Sequence, residues 1–194
     1  MPPAAFDTFS PLLRDGYQAL IARLQSALPA DGMNELHSLY GEYAVLDRFL
    51  PRPILTLFGY GADQDEVSTD HLQGLGDLVY LPQLFRDFLA IHDDIVDEDL
   101  VKFGEPTLPV SYSAVERPPL PELQMTKWGK DLALFYGDLV MGFIGEVIAT
   151  SAAPASEQAA LSAALSRTLQ RTRSVSSASC SCRSSRPRAS TLTP

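Results

Sequence analysis

The stretch FLAIHDDIVDEDLVKFGEPTL, residues Phe88–Leu108, begins as an apolar helix and ends in a cluster of acidic side chains. Apolar residues recur at helical spacing from about Thr69 to Asp99, so the sequence predicts a long helix with a kink or break at Pro82. Like charges three or four residues apart repel by about 0.2–0.5 kcal/mol per pair, and the helix dipole disfavours anions in a last turn. We therefore expect a group outside the helix to compensate for Asp93, Asp94, Asp97, Glu98 and Asp99.

Three of these aspartates have the spacing of a divalent-metal site. On an α-helix, Asp93 and Asp97 lie about 40° apart and Asp94 lies about 60° from Asp97, so their carboxylates converge. Such oxygen ligands suit Mg²⁺, which keeps several waters and also binds substrate phosphates. An EF-hand is excluded because the sixth position of a loop starting at Asp93 is Glu98, not Gly. A solvated acidic end of an amphipathic helix is the alternative for a bare DDxxD.

The rest of the chain is predicted to be helical as well. Ser10 and Pro11 are a predicted N-cap and first helical residue, and residues 53–62 are ambiguous between helix and strand. The five prolines in residues 104–122 predict a loop, and nothing signals a strand pair. Further helices are predicted over residues 10–28, 34–50, 123–153 and 156–171, with Gly129, Gly137, Gly142 and Gly145 permitting close packing. The fold class predicted is therefore all-α.

Composition and charge narrow the functional classes. Hydrophobic residues make up 45% of the 194 residues, so the chain can bury a core. Residues 1–165 hold nine Lys and Arg and all 24 Asp and Glu, and this net charge of −15 argues against nucleic acid as a partner. We expect no signal peptide, and no apolar run approaches the roughly 20 residues of a membrane span. The expected location is cytoplasmic.

The last 29 residues differ from the body. Residues 166–194 contain six Arg and no acid, together with Cys180 and Cys182, which form neither a zinc site nor a disulfide framework. We predict one domain over residues 1–165 and a disordered basic tail over 166–194. The change of character inside a helical pattern favours a frameshifted end over a natural tail.

Three stretches, in order along the chain, resemble motifs of the trans-isoprenyl diphosphate synthases (the polyprenyl synthetase family). FLAIHDDIVDEDLVKFGEPTL is similar to its first aspartate-rich region, in which DDxxD is followed by a basic pair and Gly-x-Pro-Thr. FLPRPILTLFGYGA is similar to its GKRxRP segment, and GKDLALFYGDLVMG is similar to its GxxLAILxGDxLL helix. The resemblance covers about residues 30–165.

The resemblance implies an incomplete antiparallel helix bundle of the isoprenoid synthase type. It also implies an Mg²⁺-dependent prenyltransferase that condenses isopentenyl diphosphate with an allylic diphosphate to a short-chain product, of about fifteen to twenty carbons. The residues that match the family's functional positions are Asp93, Asp94 and Asp97 as catalytic metal ligands, Arg52 and Lys102 as diphosphate-binding residues, and Phe88 and Leu89 as chain-length residues. Gly137 and Asp138 match the family's GD pair.

Several positions depart from the family pattern. Phe49 falls where the family has a lysine, Arg86 where it has a histidine, and Phe103 where it has a second basic residue. Glu105, between Gly104 and Pro106, places an acidic side chain near the expected diphosphate. Family members are much longer and carry a second aspartate-rich motif, which this sequence lacks. We therefore expect the chain to be inactive alone.

Other functions stay open at this point. A non-catalytic partner or relic of a complete synthase would suit the altered positions, and a terpene cyclase would also use DDxxD. Arg52-Pro53 and Gly-x-Pro-Thr favour the synthase over the cyclase. The resemblance implies a homodimer or a heteromer with a full-length synthase. We interpret His37, His71 and His92 as structural, because Mg²⁺ prefers oxygen ligands.

Overall fold

A computed structural model describes residues 3–27, 34–45, 50–63, 66–116 and 122–184. It is almost entirely helical, which confirms the all-α class; the isoprenoid synthase type of bundle stays a prediction. The elements are α1 Pro3–Ser26, α2 Asn34–Ala44, α3 Pro51–Tyr60, α4 Thr69–Leu75, a 3₁₀ helix Gly76–Tyr80, α5 Leu81–Asp97, β1 Val101–Lys102, β2 Glu105–Pro106, α6 Leu108–Glu116, α7 Lys127–Thr150 and α8 Ala155–Ser184. In the ambiguous segment 53–62, residues 53–60 are helical and belong to α3, and residues 61–62 lie in the turn that follows.

The chain divides into two compact units, Met1–Ser151 and Ala152–Pro194. The predicted domain over residues 1–165 and tail over residues 166–194 stay predictions. In the first unit, α7 packs most extensively against α5 and α6. Its core contains large, fully buried side chains from α1, α2, α3, α5, α6 and α7, namely Leu13, Tyr17, Tyr40, Leu57, Leu84, Ile91, Leu108, Tyr112 and Ile144. The core therefore spans all the longer helices of this unit.

The long helix predicted over residues 69–99 is divided, as the proline indicated. Gly76 has a positive φ of 52° and ends α4, and the 3₁₀ helix then leads into α5. Pro82 lies in the first turn of α5, where its missing N–H would have no intrahelical acceptor. The predicted break at Pro82 is confirmed.

The predicted start of the first helix is wrong. α1 begins at Pro3 and has Pro11 in its interior, where a proline costs about 3 kcal/mol. Phe9 is buried ahead of the proline, and Leu13 and Tyr17 continue the same stripe after it. Burial on both sides of Pro11 explains why the helix continues through it.

The predicted loop over residues 104–122 is also wrong in part. It contains α6, whose second residue is Pro109, a position that tolerates proline. It also contains β2, which pairs antiparallel with β1 through Val101–Pro106 and Lys102–Glu105. Strands of two residues are too short to show an alternating pattern, so no sequence signal indicated this hairpin.

Two further findings concern the last helices. α8 continues through Ser184, into the segment predicted to be disordered, and residues 185–194 lie outside the described part of the chain. By length and composition alone, α7 is long and apolar enough to cross a membrane, so the absence of a membrane span stays a prediction. Only 44% of its apolar window is buried, and one such helix is weak evidence, since core helices of soluble proteins meet the same criteria.

Candidate functional site

The aspartate cluster lies at the carboxyl end of α5. Asp93 and Asp97 are exposed and one turn apart, whereas Asp94 is completely buried. The helix ends at Glu98, which adopts the left-handed conformation with φ 59° and donates its N–H to the Asp94 carbonyl. The three predicted ligands are thus adjacent on one helix end, but in two different environments.

Asp94 is neutralised by groups from outside its helix. The ammonium of Lys102, on β1, pairs with Oδ1, and the Tyr43 hydroxyl, on α2, donates to Oδ2 over 3.0 Å. Burial raises the pKa of Asp94, while the hydrogen bond and charge of Lys102 and the hydrogen bond of Tyr43 oppose that rise. For Asp94, the expected compensating group is therefore a lysine.

A second lysine compensates the next acid. Lys130 on α7 lies 2.6 Å from Oε1 of Glu98 and lowers the pKa of that carboxyl by hydrogen bonding and charge. Because Glu98 is exposed, this ion pair contributes little to the free energy of unfolding. It does place a cation from α7 beside the end of α5.

The arrangement limits which carboxylates are open to a metal. Within the described ranges, no three His, Cys, Asp or Glu side chains form a group that could hold one. Both oxygens of Asp94 have partners, and the side chains of Asp93 and Asp97 are exposed. A magnesium site at Asp93, Asp94 and Asp97 therefore stays a prediction.

The β1–β2 hairpin sets the position of Lys102. Its turn consists of Phe103 and Gly104, with φ of 56° and 87°. Behind the turn, Thr107 donates its hydroxyl to the Asp99 carbonyl over 2.6 Å and its N–H to the Leu100 carbonyl over 3.1 Å. The hairpin base is thereby fixed to the chain that leaves α5.

Two of the positions that depart from the family pattern contact each other. The guanidinium of Arg86 lies 5.6 Å from the centroid of the Phe103 ring, within cation–π range. Arg86 also pairs with the neighbouring Asp87 over 3.0 Å. The arginine and the phenylalanine thus form a joint contact between α5 and the hairpin.

The other predicted site residues lie on α3 and α5. Arg52 is half-buried in the first turn of α3. Phe88 is buried, with its ring centroid 6.0 Å from that of Phe85 and 4.5 Å from that of His92, while Leu89 is half-buried. The structure therefore brings Lys102 directly to Asp94, and it gives Phe88 the surroundings of a packed side chain.

The GD pair lies where α7 crosses α5. A Cβ on Gly137 would come within 2.5 Å of His92 Cε1, so a larger residue here would force the His92 ring to move. Asp138 is exposed, and its Oδ1 lies 3.6 Å from His92 Nε2. The predicted close packing is confirmed at Gly129 and Gly137 and is wrong at Gly142 and Gly145, where an added Cβ would meet nothing within 4 Å.

The histidines have local partners. Nδ1 of His92 donates to the Phe88 carbonyl over 2.8 Å, which fixes its tautomer. Nδ1 of His37 lies 2.9 Å from the Tyr136 hydroxyl, and His71 forms a capping box with Ser68 at the start of α4. These contacts are of the kind expected for structural histidines.

A buried polar group under the site was missed by the sequence reasoning. Asp87 is fully buried and accepts hydrogen bonds from Tyr17 on α1, from Gln83 over 3.2 Å and from Arg86. Burial raises its pKa to about 6 against these hydrogen bonds. Its position in the sequence could have indicated its burial, because Asp87 lies among Leu84, Phe88 and Ile91 on the apolar face of α5.

The cavities in the described part of the chain include two that lie away from the aspartate cluster. One, of about 590 Å³, lies between α1 and α2 and is lined by residues such as Gln18, Gln25 and His37. The other, of about 400 Å³, is lined by Leu39, Val110 and neighbouring residues. Neither is lined by Asp93, Asp94 or Asp97.

Comparison with protein-family models, with curated proteins and with solved structures gives no match for this chain. The resemblance to the trans-isoprenyl diphosphate synthases therefore rests on the three motifs quoted above and on their order.

Proposed function

We propose that this chain is the N-terminal part of an Mg²⁺-dependent prenyltransferase that joins isopentenyl diphosphate to an allylic diphosphate. The observation that carries the proposal is the grouping at the end of α5. Two exposed carboxylates, Asp93 and Asp97, lie within one turn of Asp94, and Asp94 is paired with a lysine. Carboxylates for a divalent cation and an ammonium for phosphate oxygens are the groups that recognise a metal-bound diphosphate.

The role of each residue follows from its position. Asp93 and Asp97 would hold the cation, which when bound neutralises negative charge on a departing diphosphate. Lys102 would donate to a phosphate oxygen, and Arg52, at the start of α3, would bind the second diphosphate through its planar guanidinium. Phe88, one turn before the aspartates and buried, would form the apolar wall that limits product length.

Binding assays test the proposal directly. The purified chain should bind Mn²⁺, observed by electron paramagnetic resonance, and should then bind a non-hydrolysable allylic diphosphate analogue only when the cation is present. Asp93→Asn with Asp97→Asn should abolish both. Asp70→Asn, which changes an exposed carboxylate in the first turn of α4, is the matched control and should change neither. Equal binding by the double variant and the chain without substitutions would refute the assignment.

A second candidate, a non-catalytic subunit of a complete synthase of the same family, is favoured by one observation. Among the described residues of α7, the side chains of Leu134, Phe135 and Leu139 are 42%, 64% and 38% exposed. An apolar helix face of this kind is typical of protein–protein interfaces. Co-purification with a complete synthase that is lost in Phe135→Ser, with diphosphate binding unaffected, would favour this candidate.

A further inference from the structure

The cavity of about 400 Å³ beside α6 has the size and the lining of a small-molecule site. It is formed by residues of α2, β2 and α6 and by one residue of the segment before α7, and ligand pockets usually measure about 300–1,000 Å³. Six of its eight lining residues are apolar, namely Leu39, Pro106, Val110, Ala114, Val115 and Leu123. Such a lining favours a ligand with a hydrocarbon body, because binding removes apolar surface from water.

The two polar residues of the lining are Glu35 on α2 and Ser111 on α6. Within the described ranges, neither the Glu35 carboxylate nor the Ser111 hydroxyl has a hydrogen-bond or ion-pair partner, although the Ser111 backbone N–H donates to the Thr107 carbonyl over 2.9 Å. A mostly apolar cavity with a few free polar groups is the usual design of a ligand site, in which the polar groups fix the orientation of the ligand.

The α6 wall of the cavity is fixed by contacts that involve no ligand. The hydroxyl of Tyr112 donates to the Leu36 carbonyl on α2 over 3.1 Å, and Oγ of Ser113 accepts the N–H of Thr126 over 2.9 Å. Tyr112 and Ser113 are both completely buried. The cavity is therefore formed before a ligand binds, which keeps the cost of ordering its walls small.

The charge around the cavity selects the sign of the ligand. Glu35 is the one charged side chain among the residues that line it. Two further exposed acids, Glu105 and Glu122, immediately precede the lining residues Pro106 and Leu123. This concentration of negative charge repels carboxylates and phosphates and attracts cations. An ammonium group can donate a charge-assisted hydrogen bond to the Glu35 carboxylate.

We propose that this cavity binds a small organic ammonium ion, whose apolar body fills it and whose ammonium donates to Glu35. At about 30 Å³ per non-hydrogen atom, the share of a water molecule in the liquid, the cavity holds a body of about a dozen such atoms. The Ser111 hydroxyl is a second polar contact for the ligand. The site is independent of the proposed prenyl transfer, because none of its residues belongs to the aspartate cluster.

Three probes of the same shape test the proposal on the full chain at pH 7. They are 4-phenylbutylamine, 4-phenylbutan-1-ol and 4-phenylbutanoate, which differ in charge at the polar end. In a sample with ¹³C-labelled Leu and Val methyl groups, the amine should shift the signals of Leu39, Val110 and Val115 saturably. The alcohol should bind about tenfold more weakly, because a neutral hydrogen bond replaces a charge-assisted one. The carboxylate should shift none of these signals.

Two substitutions separate the role of the charge from that of the cavity. Glu35→Gln should weaken binding of the amine about tenfold and leave binding of the alcohol unchanged. Its matched control is Glu157→Gln, an exposed glutamate in the first turn of α8, as Glu35 is in the first turn of α2. Ala114→Trp fills the cavity from an exposed helix position and should abolish binding of both probes, whereas Ala149→Trp, at an exposed position of α7, should not.

Each other result overturns the proposal. Equal affinities for the amine and the alcohol, or an amine affinity that is unchanged in Glu35→Gln, would show that Glu35 is only a favourable charge at the start of α2. Amine binding that persists in Ala114→Trp would place the ligand elsewhere. If the amine shifts none of the three methyl signals, the cavity is not a site for an organic ammonium. The comparison of the three probes on the unsubstituted chain stands even if a variant does not fold.

Discussion

The hydroxyl of Tyr17 on α1 donates a hydrogen bond to Oδ2 of Asp87 on α5, 70 residues later in the chain. Both side chains are completely buried, and Asp87 lies on the same face of α5 as Asp94, two turns earlier. This bond is therefore a long-range tie between the first helix and the helix that carries the candidate site.

Tyr17→Phe should destabilise the fold. The change leaves one oxygen of a buried carboxylate without a donor, and we expect the free energy of unfolding to fall by about 1.5–3 kcal/mol, as for other hydrogen bonds to charged groups. Urea unfolding followed by circular dichroism measures it. Tyr60→Phe removes the hydroxyl of a tyrosine that is 53% exposed, and it should change stability by less than about 0.5 kcal/mol. Equal effects of the two variants would contradict a specific role for the Tyr17 bond.

Asp87 should make the stability depend on pH. Its folded pKa of about 6 lies above the ordinary value near 4, because burial disfavours the charged form. The folded state thus keeps the proton to higher pH, so the contribution of Asp87 to the free energy of unfolding is greatest below about pH 4, falls as the pH rises to about 6, and is constant above. The groups that face Asp87 are Tyr17 from α1, Tyr40 and Tyr43 from α2, and Arg86 from α5.

The variant Asp87→Asn isolates the contribution of Asp87 to the pH dependence of stability. One pKa unit corresponds to about 1.4 kcal/mol, so the stability of the unsubstituted chain relative to this variant should fall by up to about 3 kcal/mol between pH 4 and 6. Burial also raises the pKa of Asp94, which gives both proteins a common slope and cancels in the difference. Urea unfolding at several pH values measures the difference. Parallel stability curves for the two proteins would show that Asp87 does not titrate as described.

Two glycines of α7 should respond in opposite ways to alanine. A Cβ on Gly137 would meet the His92 ring at 2.5 Å and 2.9 Å, and that ring is held by its bond to the Phe88 carbonyl, so Gly137→Ala should cost about 1–3 kcal/mol. Gly142→Ala meets nothing within 4 Å and should stabilise the helix by about 0.5–1 kcal/mol. Thermal unfolding of the two variants measures both signs. A stabilising Gly137→Ala would contradict the close approach of α5 and α7.

The sequence was sufficient for features with a strong local cause. The periodicity of the apolar residues and Pro82 predicted the helices and the break before α5, and the glycine of the GD pair predicted close packing that is found at His92. The repulsion within the acidic cluster also correctly indicated that an outside group must compensate. That group is a lysine for Asp94 and for Glu98.

The features of the site that could not be predicted from the sequence depend on contacts between residues that are distant in the chain. Nothing local to Tyr43 or Tyr17 indicates that each donates to an aspartate of α5, 51 and 70 residues away. From the sequence, Asp93, Asp94 and Asp97 were equivalent candidates for metal ligands. Helical geometry alone does not show which side of the cluster a hairpin covers. The hairpin itself was missed, since Phe is an unusual residue at a left-handed turn position.

The turn of that hairpin offers a last prediction. Gly104 has φ 87°, which L-residues rarely adopt, so Gly104→Ala should cost about 1–3 kcal/mol and should open the strand pair. Hydrogen exchange at the Thr107 amide, which donates to the Leu100 carbonyl across the hairpin base, should become faster. Gly59→Ala, at an exposed position of α3 where an added Cβ meets nothing within 4 Å, should leave that amide unchanged. If Thr107 stayed equally protected in Gly104→Ala, the positive φ would not be what maintains the hairpin, and the position of Lys102 beside Asp94 would need another cause.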